Sequence, residues 1–181
     1  MKATGIVRRI DELGRVVIPK EIRRTLRIKE GDPLEIFTDR DELMLKKYSP
    51  IATLERFSKA TARSLGDLSG KLAVICDTDG ILHAFGEGKK ELDGKPLSED
   101  MDRIMRERRS YIANAAEGGD ILSITAPREE GITAQVIVPI ISGGDCLGVV
   151  AVLSKEEGAR MNANEMNLAK LTADILAHQF E

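Results

Sequence analysis

The chain has 181 residues, of which 42% are hydrophobic, 31% charged and only 3% aromatic. That apolar fraction excludes a disordered chain, and no run nears the ~18 apolar residues of a membrane helix. The formal net charge of −3 argues, taken alone, against a polyanion as partner.

Residues 1–12 carry charges with no apolar run behind them, so no secretory signal is expected. The two cysteines, Cys76 and Cys146, then read as free thiols of a cytoplasmic protein. Residues 5–10 read as a strand, Asp11-Glu12-Leu13-Gly14 as a turn, and residues 15–18 as a second strand. Pro19 suits a first helical position, where its missing N–H is no loss. Residues 20–26 then form a short helix, with Ile22 and Leu26 sharing its buried side. Arg23, Arg24 and Arg27 leave from the other side. Gly31-Asp32 turns into a strand at 33–38, and Asp39-Arg40-Asp41 into another at 43–46.

A head of this size is hard to stabilise alone, because chains below ~40–60 residues bury too little surface without metals, disulfides or partners. It contains no Cys and no His. Self-association remains, so the head is expected to fold as an obligate homodimer. The junction at Lys46-Lys47-Tyr48-Ser49-Pro50 divides the chain into residues 1–50 and residues 51–181.

In the body, residues 50–65 predict a helix with Ile51, Leu54, Phe57, Thr61 and Leu65 on one stripe. Residues 71–76 and 81–85 read as strands joined by the turn Asp77-Thr78-Asp79-Gly80. Ser98 reads as an N-cap, and its helix is expected to turn Met101, Ile104, Met105 and Ile112 inward. A short strand is expected at 121–125. Long apolar runs at 132–141 and 146–153 form a central hairpin around Ser142-Gly143-Gly144-Asp145. Asn162 and Glu165 form a capping box. The last helix, 163–180, has Met166, Ala169, Ala173, Leu176 and Phe180 on one side and Leu168, Leu171 and Ile175 on another. A helix apolar on two sides has two things to bury against, so helices 51–65 and 163–180 are expected to join two dimers into a homotetramer. The body is an α+β domain with a mostly antiparallel sheet of about five strands.

Counting charge by segment changes the first impression. Residues 1–29 hold nine cations against three anions, a net of +6; residues 30–181 hold 18 cations against 27 anions, a net of −9. A basic head on an acidic body points to nucleic acid at one end. The low aromatic content fits phosphate contact on a duplex better than the base stacking of single-strand binders.

Residues 3–10 (Ala-Thr-Gly-Ile-Val-Arg-Arg-Ile), followed by Leu13-Gly14-Arg15-Val16-Val17-Ile18-Pro19-Lys20-Glu21-Ile22-Arg23, resemble the DNA-binding head of AbrB-type transition-state regulators. The likeness continues through Leu26, Gly31-Asp32 and Leu34-Glu35-Ile36. The body is similar to the GAF-like extension of longer members in spore-forming bacteria. The resemblance implies an N-terminal, β-rich swapped-hairpin barrel made by two chains, followed by a C-terminal GAF-like domain. It implies a regulator that binds double-stranded DNA and acts late in sporulation, inside the developing spore, as activator and repressor. The family's DNA-contacting arginines fall on Arg8, Arg15, Arg23 and Arg24, with Arg9 and Lys20 as further phosphate contacts. Guanidinium groups stay charged at cellular pH and pair bidentately with phosphates or guanine edges.

GAF-like domains hold small ligands between sheet and helix, so an unidentified ligand is a candidate partner of the body. His83, Tyr111, Arg108 and Arg109 are its candidate polar groups. His178 on the last helix is expected to be exposed, and Cys76 and Cys146 to be inert packing. Asp77-Thr78-Asp79-Gly80 starts like a calcium loop but has Gly88 where the twelfth ligand belongs. Gly86-Glu87-Gly88 lacks the third glycine and strand–helix context of a dinucleotide site. No Ser-His-Asp order, HExxH or P-loop occurs. Neither catalysis, a metal nor a cofactor is expected. Two other readings stay open: a small-molecule sensor with secondary DNA contact, and an antitoxin-like DNA-binding protein.

Overall fold

The computed structural model describes residues 4–180, which leaves Lys2 and Ala3 of the sequence reading outside the described residues. The chain divides between Tyr48 and Ser49 into two compact units.

The head contains helix α1 (Lys20–Thr25) and the hairpin β1 (Leu34–Asp39) and β2 (Glu42–Lys47). The strands pair from Leu34↔Lys47 to Asp39↔Glu42, and the Tyr48 N–H adds a bond to the Pro33 carbonyl at 2.9 Å. Lys47 Nζ reaches Asp32 Oδ2 and the Arg27 carbonyl, both at 3.0 Å, and so ties the exit of α1 to the hairpin.

The expected barrel is not formed. The head holds a two-stranded antiparallel sheet, and among the described residues no sheet closes on itself. Residues 5–10 and 15–18 flank a turn but are assigned to no strand. Their apolar alternation is real, yet Val7 is 85% and Val17 72% exposed. Alternation fixes which side chains share a face; it does not supply a neighbouring strand to bond with, and closure needs a continuous ladder. Helix α1 also buries no residue: Ile22 is half-buried and Leu26, its C-cap, is exposed. Among the described residues of the head, Pro19 alone is buried.

The body is built on a five-stranded, wholly antiparallel sheet in the order β4-β3-β7-β6-β5. Its strands are β3 (Leu72–Cys76), β4 (Ile81–Phe85), β5 (Tyr111–Asn114), β6 (Ala134–Ser142) and β7 (Asp145–Ser154). Both faces are covered, which is why the central strands read as continuous apolar runs. On one face, Ala73, Ile75, Val136, Val150 and Val152 pack with Ala62 and Leu65 of α3 (Glu55–Ser69) and Ala169, Ala173 and Leu176 of α5 (Ala163–Ala177). On the other, Val74, Cys76, Ile137, Val149 and Ala151 pack with Met101, Ile104 and Met105 of α4 (Glu99–Glu107) and with Leu92, Leu122 and Ile124.

Gly143 and Gly144, both at positive φ, make the two-residue turn between β6 and β7. Ser98 Oγ accepts from the Met101 N–H at 3.3 Å to cap α4, and the capping box of Asn162 and Glu165 starts α5.

Three expectations for the body are corrected. The helix expected at 50–65 is two helices, α2 (Pro50–Thr53) and α3, broken at Leu54. At the break the Leu54 N–H bonds the Ile51 carbonyl three residues back at 3.1 Å, and the Thr53 hydroxyl bonds the Pro50 carbonyl at 2.6 Å. Phe57 is exposed, and Ser58, Ala62, Leu65 and Gly66 form the buried face. Ile112 lies not on a helix but on β5: α4 ends where Arg108 takes a left-handed conformation at φ 54°. Residues 121–125 form no ladder strand; they carry one isolated bridge, Leu97↔Thr125, and are otherwise held by side chains and single backbone bonds, among them those of Glu129, Asp100 and Ser98.

Candidate nucleic-acid interface

Arg8 and Arg9 precede the turn at residues 11–15, Arg15 closes it, Lys20 begins α1, and Arg23 and Arg24 stand in its last turn. Helix carbonyl ends favour cations, so the last two positions suit α1 as well as any ligand. All six side chains are exposed. Among the described residues, only Arg15 of the six has an ion-pair partner, Asp11. Arg8 makes one long bond, Nη1 to the Val7 carbonyl at 3.5 Å. The head thus presents five charged groups whose donors are directed to solvent.

The turn itself is organised by Asp11. Its Oδ1 accepts from the N–H groups of Leu13 at 3.0 Å and Arg15 at 2.8 Å, and its Oδ2 accepts from Arg15 Nε at 2.8 Å. Two backbone bonds close the loop, Asp11 N–H to the Arg15 carbonyl at 3.1 Å and Gly14 N–H to the Asp11 carbonyl at 3.0 Å. Gly14 sits at φ 75°, where a side chain would be strained. The Arg15 backbone N–H, then the Arg15 side chain, hold the Asp11 carboxyl below the usual carboxylate range, with Leu13 adding to them. Sequence reasoning placed Asp11 in the turn and weighed it as a partner of Arg9, but missed its pairing with Arg15; the signal was an acid four residues before an arginine across a glycine turn.

None of the candidate polar groups His83, Arg108, Arg109 and Tyr111 lines the groove found in the body. Tyr111 donates its hydroxyl to the Asp120 carbonyl at 2.8 Å. Arg108 caps α4, with Arg109 beside it on the surface. His83 is half-buried on β4, and its pKa is lowered by burial and then by Lys59. His178 is exposed, its Nδ1 2.7 Å from the Asp174 carbonyl. Burial drives the Cys76 thiol far up, and raises that of Cys146. Asp77 Oδ1 accepts from the N–H groups of Asp79 at 2.8 Å and Gly80 at 2.9 Å, spending its lone pairs on the turn. Among the described residues no group of three or more His, Cys, Asp or Glu could hold a metal ion, and no helix is long and apolar enough to cross a membrane. An open groove of about 470 Å³ lies beside Gly66, Gly86 and Gly88, with Lys71, Glu91 and Lys155 on its walls.

Comparison with known proteins bears on both units. The family model "Stage V sporulation protein T C-terminal, transcription factor" matches residues 53–181. The model "Antidote-toxin recognition MazE, bacterial antitoxin" matches residues 7–53. Stage V sporulation protein T of Bacillus subtilis (strain 168) is 46% identical over 182 aligned residues, covering 100% of this chain and 99% of the relative. The transition state regulatory protein AbrB of the same organism is 51% identical over 74 residues, 41% of this chain and 77% of the relative. The body shares its fold with the PixJ GAF domain of Thermosynechococcus elongatus: TM-score 0.54 and 13% identity, over 74% of this chain and 90% of that one. Matched from end to end by one relative and across the body by that family's own model, the chain belongs to the stage V sporulation protein T family of transcription factors.

Proposed function

We propose that this protein regulates transcription late in sporulation by gripping duplex DNA with the arginines of its head, activating some genes and repressing others. The observation that carries the reading is the set of exposed cations, Arg8, Arg9, Lys20, Arg23 and Arg24, left without acidic partners among the described residues, beside an Arg15 fixed in a turn. Arg8, Arg15, Arg23 and Arg24 are the principal contacts, and Arg9 and Lys20 further phosphate contacts. Among its described residues the head has no long recognition helix, so shape and deformability of the duplex contribute to site choice.

Self-association belongs to the same reading. A unit in which, among the described residues, only Pro19 is buried and in which Val7, Ile10, Val17, Ile36 and Leu43 are exposed gains its core from a second copy, so residues 1–50 act as a homodimer. In the body, Phe57 and Leu68 of α3 and Leu171 and Ile175 of α5 are also exposed. These helix faces join dimers into a tetramer, and the paired heads gain affinity by multivalency. A small ligand of the body would act by shifting that assembly; the groove beside Gly86 and Lys155 offers it a polar recess.

Mobility-shift titration of the full chain tests the DNA reading. Arg15→Ala and Arg23→Ala each abolish duplex binding while light scattering reports an unchanged assembly. Counting the four principal arginines of each chain, neutralising about eight phosphates per head dimer gives a log–log salt slope of roughly −7, at ~0.9 per phosphate. Binding retained within threefold by both variants would overturn the assignment. A thermal-shift screen against amino acids, nucleotides and acyl-CoA tests the ligand.

A further inference from the structure

Arg15 is held to Asp11 at three points: its N–H, its carbonyl and its guanidinium Nε. A guanidinium has five N–H donors. The bond through Nε uses one and leaves the four on the terminal nitrogens, the edge that can meet a phosphate or the O6/N7 edge of guanine. An acid on a surface that binds by neutralising phosphates works against binding. Asp11 is nevertheless charged across the working pH range, because hydrogen bonds from Arg15 and Leu13 favour its ionised form. Its presence has to be offset by something, and the geometry supplies that. A long, rotamer-rich side chain is already ordered before the duplex arrives, so less freedom is lost on binding.

We propose that Asp11 is a positioning residue for DNA recognition: it pre-orders the Arg15 guanidinium with its terminal edge free, and thereby favours the cognate duplex over other sequences. This rests on the reading of Arg15 as a DNA contact. Two roles predict opposite signs for the same substitution. If Asp11 were only a repelling charge, its neutralisation would raise affinity for every duplex alike. If it positions Arg15, neutralisation lowers affinity for the cognate duplex and leaves non-cognate binding equal or stronger.

The test uses the full chain and a duplex selected from a random pool by the wild type, against a scrambled duplex of equal composition. Asp11→Asn keeps a carbonyl oxygen for the Leu13 and Arg15 N–H groups, so the turn persists, and removes the charge that holds Nε. The expected result is a loss of about tenfold for the selected duplex, the scale of one side chain left to be ordered on binding, with no loss for the scrambled one. In an Arg15→Lys background the same substitution costs nothing further, since lysine has no Nε–H to hold. An unchanged or higher affinity of Asp11→Asn for the selected duplex overturns the inference. So does an equal loss in the Arg15→Lys background, which would mean that the turn and not the guanidinium had been disturbed. Full binding by Arg15→Ala instead overturns the reading beneath it.

Discussion

Asn114 and Met161 exchange a pair of hydrogen bonds: Asn114 Nδ2 donates to the Met161 carbonyl at 3.1 Å, and the Met161 N–H donates to Asn114 Oδ1 at 2.7 Å. Asn114 ends the edge strand β5, and Met161 immediately precedes the cap of α5. One carboxamide therefore does for two distant segments what a ladder rung does for two strands. Asn114→Ala leaves both backbone groups of Met161 buried without a partner, which costs about 1–3 kcal/mol. Thermal unfolding of the full chain is expected to shift down by several degrees, and an unchanged Tm would refute the pairing's structural role.

A second anchor is Glu129. Its Oε1 accepts from the Ile124 N–H and its Oε2 from the Thr125 N–H, both at 2.8 Å, with the hydroxyls of Thr125 and Ser123 at 3.0 and 3.2 Å from Oε2. Only 7% of the residue is exposed. Glu129→Gln turns one acceptor oxygen into a donor that faces donors. It is expected to destabilise the body by about 1–3 kcal/mol in urea unfolding, whereas the exposed Glu130→Gln stays within ~0.5 kcal/mol. Equal midpoints for the two variants would contradict this.

The cysteines give a chemical readout. Cys76 is fully buried on β3 and its thiol is pushed far up by burial, with Asp77 and Glu129 adding repulsion. Cys146 is partly buried and raised by burial as well. Since the thiolate is the reactive form, a maleimide or disulfide reagent at pH 8 is expected to modify Cys146 slowly and Cys76 only after unfolding. Rapid native labelling of Cys76 would show that β3 opens.

At Gly148, on β7 opposite β3, an added Cβ would overlap the Cys76 carbonyl oxygen and sit 2.9 Å from Asp77 Cα. Neither is a side chain that can swing away. Gly148→Ala is expected to lower stability by about 1–3 kcal/mol, as overpacking does; Gly143→Ala, in open space but at φ 57°, tests backbone strain at the hairpin turn separately.

The Asp11 carboxyl is held below the ordinary aspartate value by bonds from Arg15 and Leu13. A depressed carboxyl contributes its ordering above the unfolded value, about 3.9, and loses it as pH falls through the lower folded value. The amide signals of Leu13 and Arg15 in an NMR titration are expected to move with a midpoint below the ordinary aspartate value. A midpoint above the ordinary value would contradict the hydrogen bonds.

Some of the fold was legible because its signals are local. The Ser142-Gly143-Gly144-Asp145 turn needs only two residues that tolerate positive φ, and the Asn162–Glu165 box needs only two side chains three apart. What failed depended on neighbours far along the chain. Ile112 has helical spacing from Met105, yet an open edge of β6 pairs with it. Residues 121–125 look like a strand, but the Glu129 carboxylate takes the N–H groups of Ile124 and Thr125. The barrel failed for the same reason, since residues 5–18 have strand-like alternation and no strand beside them. The six candidate contacts of the head were readable as part of a charge cluster; that Asp11 organises the turn among them was not, because one of a few acids in a basic segment looks like ordinary solvation.

The unfinished apolar surface of the head has a quantitative consequence for gene control. If a second copy completes the unit that touches DNA, occupancy of a promoter rises with a higher power of protein concentration than the first, because each step of assembly is set by mass action. Promoters would then answer the accumulation of this regulator as a threshold, silent while chains are scarce and filling over a narrow range once heads can pair.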